Sequence, residues 1–411
     1  MSVTDIPMQH RRFGRTELAM PVYSTGGMRY QDGWKDKPLS EIDPKTQVTL
    51  ETTLNRGLEL GVNHVETARG YGPSERQLGQ YFKKVGREKF IIQTKVSPDK
   101  DPKVFRENVL DSLDRLELEY IDLFAIHGIN NTEKLEWTVR PGGCFDQIQD
   151  LRQEGRCRFV GFSTHGSVDI INQAIAFGEP EVGKGFDFIN LHYYYIYQET
   201  LSCLEAARER DMGTFIISPN DKGGLLYKPS DLLRELCAPL DPMAFNDLFC
   251  LGHDSISTLS VGAARPSDYD IHMEALPLVE RPGEFLNPVL ERMNRRYEDV
   301  VAPELRDPWN LGLPCWQDIP GQINVGRIVQ LYNLTKAYDM EEYGKFRYNM
   351  LGMAEDWVPG LPATPENLDP VRDELMAIFE KTPAGTRLMA VIEEANELLY
   401  EKPRERLSEE D

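Results

Sequence analysis

From residue 20 to about 275 the chain alternates short apolar runs with longer stretches whose apolar residues recur every three to four positions. The runs PVYSTGG, VNHVET, KFIIQTK, YIDLFAIH, RFVGFST, FDFINLHY, MGTFIIS and ISTLSVGA read as strands. Between them, TQVTLETTLNRGLELG, DPKVFRENVLDSLDRLEL and QETLSCLEAARERD have helical spacing. Eight such alternations predict an α/β fold, a closed (β/α)8 TIM barrel. An open doubly wound sheet is the competitor, but STGGMRYQDG after the first strand is not the GxGxxG phosphate-binding turn that sheet would carry.

Upstream, RRFGRTELAM reads as a short hairpin turning around Gly14, placed to close the barrel floor. Beyond residue 276 the pattern changes. LPLVERPGEF is a Pro-rich break, and INVGRIVQLYNLTKAYDM, EEYGKFRYNMLGMAEDW and RLMAVIEEANELLYEK have a helical period. The expected organisation is a barrel over 1–280 and a mostly helical C-terminal extension over 281–411, whose last residues, EKPRERLSEED, form a charged tail prone to fraying.

Composition narrows the function classes. Hydrophobic residues make up 40% and charged residues 27%, no run reaches a membrane-spanning length, and MSVTDIPMQHRRFGR lacks an apolar secretory core. The expectation is a soluble cytoplasmic protein. A net charge of −21 argues against nucleic acid or an anionic membrane as partner, leaving a small molecule. The six cysteines are far apart with no CxxC pair, which reads as free thiols and predicts neither a metal site nor an iron–sulfur cluster. Oligomeric state is not encoded in any pattern found.

In such a barrel the C-terminal ends of the strands share one face, where chemistry resides. The second strand ends at Glu66, with Tyr71 in the following loop between Gly70 and Gly72. The third strand ends at Lys95 and the fourth at His127. An acid, a phenol, an amine and an imidazole therefore converge from three adjacent strands. A phenol with its ordinary pKa near 10 keeps its proton at neutral pH and becomes a useful acid when an ammonium stabilises the phenolate. Lys95 supplies that charge, Glu66 balances it, and His127 can donate a second hydrogen bond to a carbonyl oxygen.

ETARGYG, IIQTK and LFAIH, in this order and with this spacing, resemble the aldo/keto reductase family, and the likeness runs over about residues 11 to 275. The resemblance implies hydride transfer between a nicotinamide dinucleotide and an aldehyde or ketone, with Tyr71 as the acid. GFSTHGS resembles the segment that holds the carboxamide and implicates Ser163 and Thr164. Asn190 stands where the family usually has glutamine, and Tyr193 is a candidate for ring contact. FIISPNDKGGLL resembles the pyrophosphate loop, which implicates Ser218, Asn220 and Lys222. LSVGAARPSDYD resembles the segment that grips the adenosine ribose, with Arg265 as the cation for a 2′-phosphate and Asp268 opposing it, so NADP(H) is expected ahead of NAD(H). Met28 and Ala263 complete the cofactor contacts the resemblance implies.

Two departures stand out. Glu66 replaces the family aspartate, and an added methylene carries a carboxylate roughly 1.5 Å further. The segment GLPCWQDIPGQINVGRIVQLYNLTKAYDM followed by KFRYNML resembles a ferredoxin-like extension of some members, but Cys315 is its one cysteine, so a cluster-free helical cap is expected. Two rivals follow: a dinucleotide-binding regulatory protein with little turnover, and an isomerase or lyase using Lys95 as an amine nucleophile.

Overall fold

A computed structural model describes residues 3–353 and 358–403 of the chain. Most of the charged tail, and the end of EEYGKFRYNMLGMAEDW, lie outside the described residues. The chain divides into two compact units, Met1–Gly223 with Met243–Gly283, and Gly224–Pro242 with Glu284–Asp411.

In the first unit the strands are β1 (His10–Arg12), β2 (Ala19–Pro21), β3 (Tyr23–Gly26), β4 (His64–Glu66), β5 (Ile91–Val96), β6 (Ile121–Ile126), β7 (Cys157–Ser163), β8 (Phe188–Leu191), β9 (Gly213–Ile216) and β10 (Thr258–Val261). Among the described residues, β3 to β10 form a closed parallel barrel in the order β10-β3-β4-β5-β6-β7-β8-β9, with β9 pairing back to β10. This is the (β/α)8 barrel expected from the alternation of patterns. The strands read as nearly continuous apolar runs because parallel strands in a barrel are covered on both faces.

β1 and β2 form the expected hairpin, with Arg11 opposite Met20. Its Phe13 and Met20 are fully buried and pack with Leu123, Ala125, Phe188 and Phe215, so the hairpin plugs one end of the barrel with apolar side chains. Gly14 is required there: its φ is +50°, and a Cβ would fall 2.3 Å from the backbone nitrogen of Gly213.

Above that floor the interior turns polar. The Ser24 hydroxyl meets Thr258 at 2.7 Å and His64 Nδ1 at 2.6 Å. One layer further on, Glu66, Lys95 and Ser260 meet. The strand period of two explains this: His64 and Glu66, Gln93 and Lys95, and Thr258 and Ser260 each share the inward face of their strand.

Helices flank the strands as their start signals direct. Asp43 and Asp101 cap Pro44–Glu59 and Pro102–Leu116, each side chain accepting from the amide two residues on, with proline in the first turn. The segment GINNTEKLEWTVRPGG contains the helix Thr132–Val139, capped by Asn131 Oδ1 on the Lys134 amide at 2.9 Å.

The second unit is helical and includes Asp231–Cys237, Val325–Tyr338, Glu341–Tyr348, Arg372–Phe379 and Arg387–Leu399. The Pro-rich break is only partly a break. Pro282 opens the helix Pro282–Val300, a position that needs no amide donor, and Pro288 is tolerated inside it. Ser230 Oγ accepts from Leu233 and donates to the Tyr338 carbonyl at 3.0 Å, which ties the Gly224–Pro242 segment to this unit rather than to the strand–helix series around it. Of the six cysteines five are buried and Cys315 is exposed; all six are free thiols. Among the described residues no helix is long and apolar enough to cross a membrane, and no group of three or more His, Cys, Asp or Glu is placed to hold a metal ion.

Candidate active site

Strand register sets the first contact. Glu66 pairs with Gln93, so Lys95 stands one pleat beyond Glu66 on the adjacent strand, and both side chains are almost wholly buried. Lys95 Nζ donates to Glu66 Oε2 in a short ion pair and to the Thr67 carbonyl at 2.7 Å. Both partners are acceptors, and they bind the proton-bearing amine. Burial pulls Lys95 below its ordinary pKa, and Glu66 opposes that pull.

The longer carboxylate is accommodated by its neighbours. Ser260 Oγ donates to Glu66 Oε1 at 3.3 Å, so the two oxygens have separate partners. Gly26 makes the room: a Cβ there would fall 2.7 Å from Ser260 Oγ and 3.1 Å from Glu66 Oε1. The expected pairing of Glu66 with Lys95 is present, and the added methylene does not break it.

Tyr71 comes in from the loop after β4. The turn is fixed by Tyr71 N on the Ala68 carbonyl (3.0 Å), Arg69 N on the Lys95 carbonyl (2.9 Å) and Ser74 N on the Tyr71 carbonyl (3.1 Å). Lys95 Nζ lies 4.9 Å from the centroid of the Tyr71 ring, and the His127 ring meets it edge-on at 5.8 Å. Gly72 is needed, with φ +52° and a Cβ that would fall 2.1 Å from the Gly33 carbonyl oxygen. Gly70 has nothing within 4 Å of its Cβ position and no left-handed φ. Burial first, then the Glu66 charge, raises the Tyr71 phenol well above its ordinary pKa. His127 is pushed down to about 3 by burial, then by Lys95, Lys134 and Lys222, so its ring is neutral at physiological pH. The phenol, ammonium and imidazole thus form one group at one end of the barrel.

The residues implicated in cofactor contact fall into three sets. Ser163 and Asn190 are register partners on β7 and β8. Ser163 Oγ accepts from the Gly128 amide at 3.0 Å. Asn190 is fully buried, and neither its Oδ1 nor its Nδ2 has a hydrogen-bond partner. An orphaned buried amide is costly. A carboxamide offers the complementary donor and acceptor, so this pair fits the nicotinamide end of a dinucleotide.

Other residues serve the loops. Thr164 Oγ1 donates to the Ile129 carbonyl at 2.8 Å and accepts from the Gly166 amide at 2.9 Å, which fastens two loops together. Ser218 is left-handed (φ +52°) and its carbonyl accepts from the Lys222 amide at 3.2 Å, so it shapes the loop after β9 in which Asn220 and Lys222 are buried. Met28 is half-buried and Ala263 fully buried at the ends of β3 and β10. Arg265 is exposed and pairs with Asp268 at 2.9 Å.

Tyr193 does not join the group. It is 1% exposed, stacked on Phe249 at 5.7 Å, with its hydroxyl 2.9 Å from His253 Nε2, because it occupies the outward phase of the segment after β8. Tyr194 is also buried, and its hydroxyl donates to the Ile217 carbonyl. Trp137 is half-buried on Thr132–Val139.

The structure adds further residues to this end of the barrel. His192 lies in phase with Asn190, stacks on His165 at 4.6 Å and has Nε2 3.4 Å from Lys222 Nζ. Trp34 meets the Tyr71 ring edge-on at 6.4 Å. Arg29 pairs with Asp221 at 3.3 Å and reaches Gly262, adding a second cation beside the β10 end. The two-residue phase after β8 was the signal for His192; nothing local in the sequence pointed to Trp34.

The fold and the site together are a closed parallel barrel with a buried lysine–carboxylate pair beside a tyrosine and an imidazole at one end. Residues 24–235 match the model of the aldo/keto reductase family, and the chain belongs to that family. It is 30% identical over 161 residues to L-galactose dehydrogenase of Arabidopsis thaliana, covering 36% of this chain and 49% of that protein. It is 27% identical over 174 residues to L-glyceraldehyde 3-phosphate reductase of Escherichia coli, covering 38% and 46%. The chain spans about half the length of the curated relatives it matches.

Among solved structures, the fold matches the holo form of an aldo-keto reductase from Bacillus halodurans with TM-score 0.57 and 21% identity, over 69% of this chain and 96% of that one. It also matches an aldo/keto reductase from Klebsiella pneumoniae in complex with NADP and acetate, with TM-score 0.56 and 17% identity, over 69% and 95%.

Proposed function

We propose that the protein interconverts an aldehyde or ketone and its alcohol with a nicotinamide dinucleotide, with Tyr71 as the general acid in the reducing direction. The observation that carries this reading is the placement of Lys95 Nζ, held by Glu66, 4.9 Å from the centre of the Tyr71 ring. A phenol kept protonated by burial needs a nearby cation to release its proton to an alkoxide, and Lys95 is that cation. His127, neutral, offers an N–H to the carbonyl oxygen and orients it without adding charge.

When bound, the dinucleotide supplies the hydride. Asn190 and Ser163 would hold its carboxamide, Lys222 and the amides of the loop after β9 its pyrophosphate, and Arg265 or Arg29 a 2′-phosphate. Family membership and the NADP complex of the Klebsiella pneumoniae structure support NADP(H) as the form used. The lyase reading requires a free amine at Lys95, which the Glu66 and Thr67 acceptors oppose.

The test is a Tyr71→Phe variant that binds dinucleotide as the wild type does and has lost turnover. Equal, slow turnover by both proteins would favour the regulatory reading.

A further inference from the structure

The loop after β3 and the loop after β4 are tied together by a chain of alternating charges outside the barrel. Asp36, on the first loop, accepts from Arg76 Nε at 2.9 Å and Nη2 at 3.0 Å, and pairs with Arg115 at 3.0 Å. Arg115, on the helix Pro102–Leu116, also pairs with Asp111 at 2.8 Å and faces the buried Glu75 at 3.9 Å. Asp111 in turn holds Arg69, two residues before Tyr71.

The two loops touch where this chain closes. Gly72 lies against the Gly33 carbonyl, and Trp34, between Gly33 and Asp36, meets the Tyr71 ring edge-on with an interplanar angle of 89°. Isolated surface ion pairs contribute little. This set differs: the Arg115 side chain is 11% exposed, Asp36 takes both a two-pronged arginine and Arg115, and Arg115 connects the two loops.

We propose that Arg115 is a positioning residue that, through Asp36 and Asp111, sets Trp34 against Tyr71 and so fixes one wall of the space in which a substrate meets the phenol. None of these charges touches the reacting atoms. The kinetic consequence rests on the reductase reading, whereas the structural one does not.

The test labels the protein with 5-fluorotryptophan and identifies the Trp34 resonance, one of five tryptophans, by its loss in Trp34→Phe. Asp36→Asn and Arg115→Lys are each expected to shift or broaden the Trp34 signal and leave the other resonances in place. Asp36→Asn, on the exposed end of the chain, keeps the test valid if Arg115→Lys folds poorly. An unmoved Trp34 signal in Asp36→Asn overturns the proposal.

With carbonyl substrates that the wild type turns over, Asp36→Asn is expected to raise KM for bulky aromatic aldehydes by about fivefold with kcat little changed. That rise should vanish in a Trp34→Ala background. A rise of the same size in that background contradicts the proposal. A wild type with no turnover would count against the reductase reading, and the Trp34 signal would still decide this one.

Discussion

Ser260 Oγ lies 3.3 Å from Glu66 Oε1, the carboxylate oxygen that Lys95 does not bind. Glu66 is thereby held at both oxygens, and the longer side chain delivers its charge to Lys95 because Gly26 leaves space for it. Ser260→Ala is expected to lower kcat severalfold with little change in KM, since it loosens the carboxylate and touches no ligand; the lost hydrogen bond is worth about 1 kcal/mol. Gly26→Ala should lower kcat more, because its methyl would displace Ser260 and Glu66 together. Steady-state kinetics on the two variants check both outcomes, and an unchanged kcat in both would remove Ser260 and Gly26 from the account.

Breaking the buried pair from one side should cost far more than softening it. Glu66→Ala leaves Lys95 buried with the Thr67 carbonyl as its remaining hydrogen-bond acceptor. It is expected to destabilise the protein by about 3–5 kcal/mol in urea unfolding. A loss below about 1 kcal/mol would mean that water or another acceptor reaches the amine.

Much of this arrangement was legible in the sequence. The apolar runs mark the parallel strands because both their faces are covered, and the polar residues closing those runs mark the rim. Glu66, Lys95 and His127 could therefore be read together before any contact was known. Tyr193 was misplaced because one residue of phase after β8 carries a side chain from the inside to the outside. Trp34, Ser260 and the Asp36–Arg115–Asp111 chain were hidden because each depends on contacts between segments distant in sequence. The helix Pro282–Val300 was obscured because proline reads as a breaker, yet at a first-turn position it costs nothing.

Glu75 gives a pH-dependent prediction. Burial raises its carboxyl from 4.5 to about 7, so between these values the folded protein keeps a proton that the unfolded chain releases. Stability from this group is therefore full below pH 4.5 and falls as pH rises toward about 7. Glu75→Gln, which mimics the protonated form toward Thr94, is expected to gain on the order of 3 kcal/mol over the wild type at pH 8 relative to pH 4.5. Urea unfolding at the two pH values tests this; a constant difference between the two proteins contradicts it.

His127 has the opposite sign. Its folded pKa is depressed from 6.5 to about 3, so its contribution is complete above pH 6.5 and is lost as pH falls through the window between these values. In that window the folded ring stays neutral. The pH profile of kcat/KM should accordingly show no inflection near 6.5. A limb at that pH that disappears in His127→Gln would show that the imidazole titrates in the free enzyme.

The most direct measurement of the central claim is the loss of reduced-nicotinamide absorbance with a panel of aldehydes and ketones, for wild type and Tyr71→Phe, alongside dinucleotide titration of both. Turnover is expected in the wild type, with a loss of at least about a hundredfold in the variant and matched dinucleotide affinity. Turnover retained by Tyr71→Phe would contradict it.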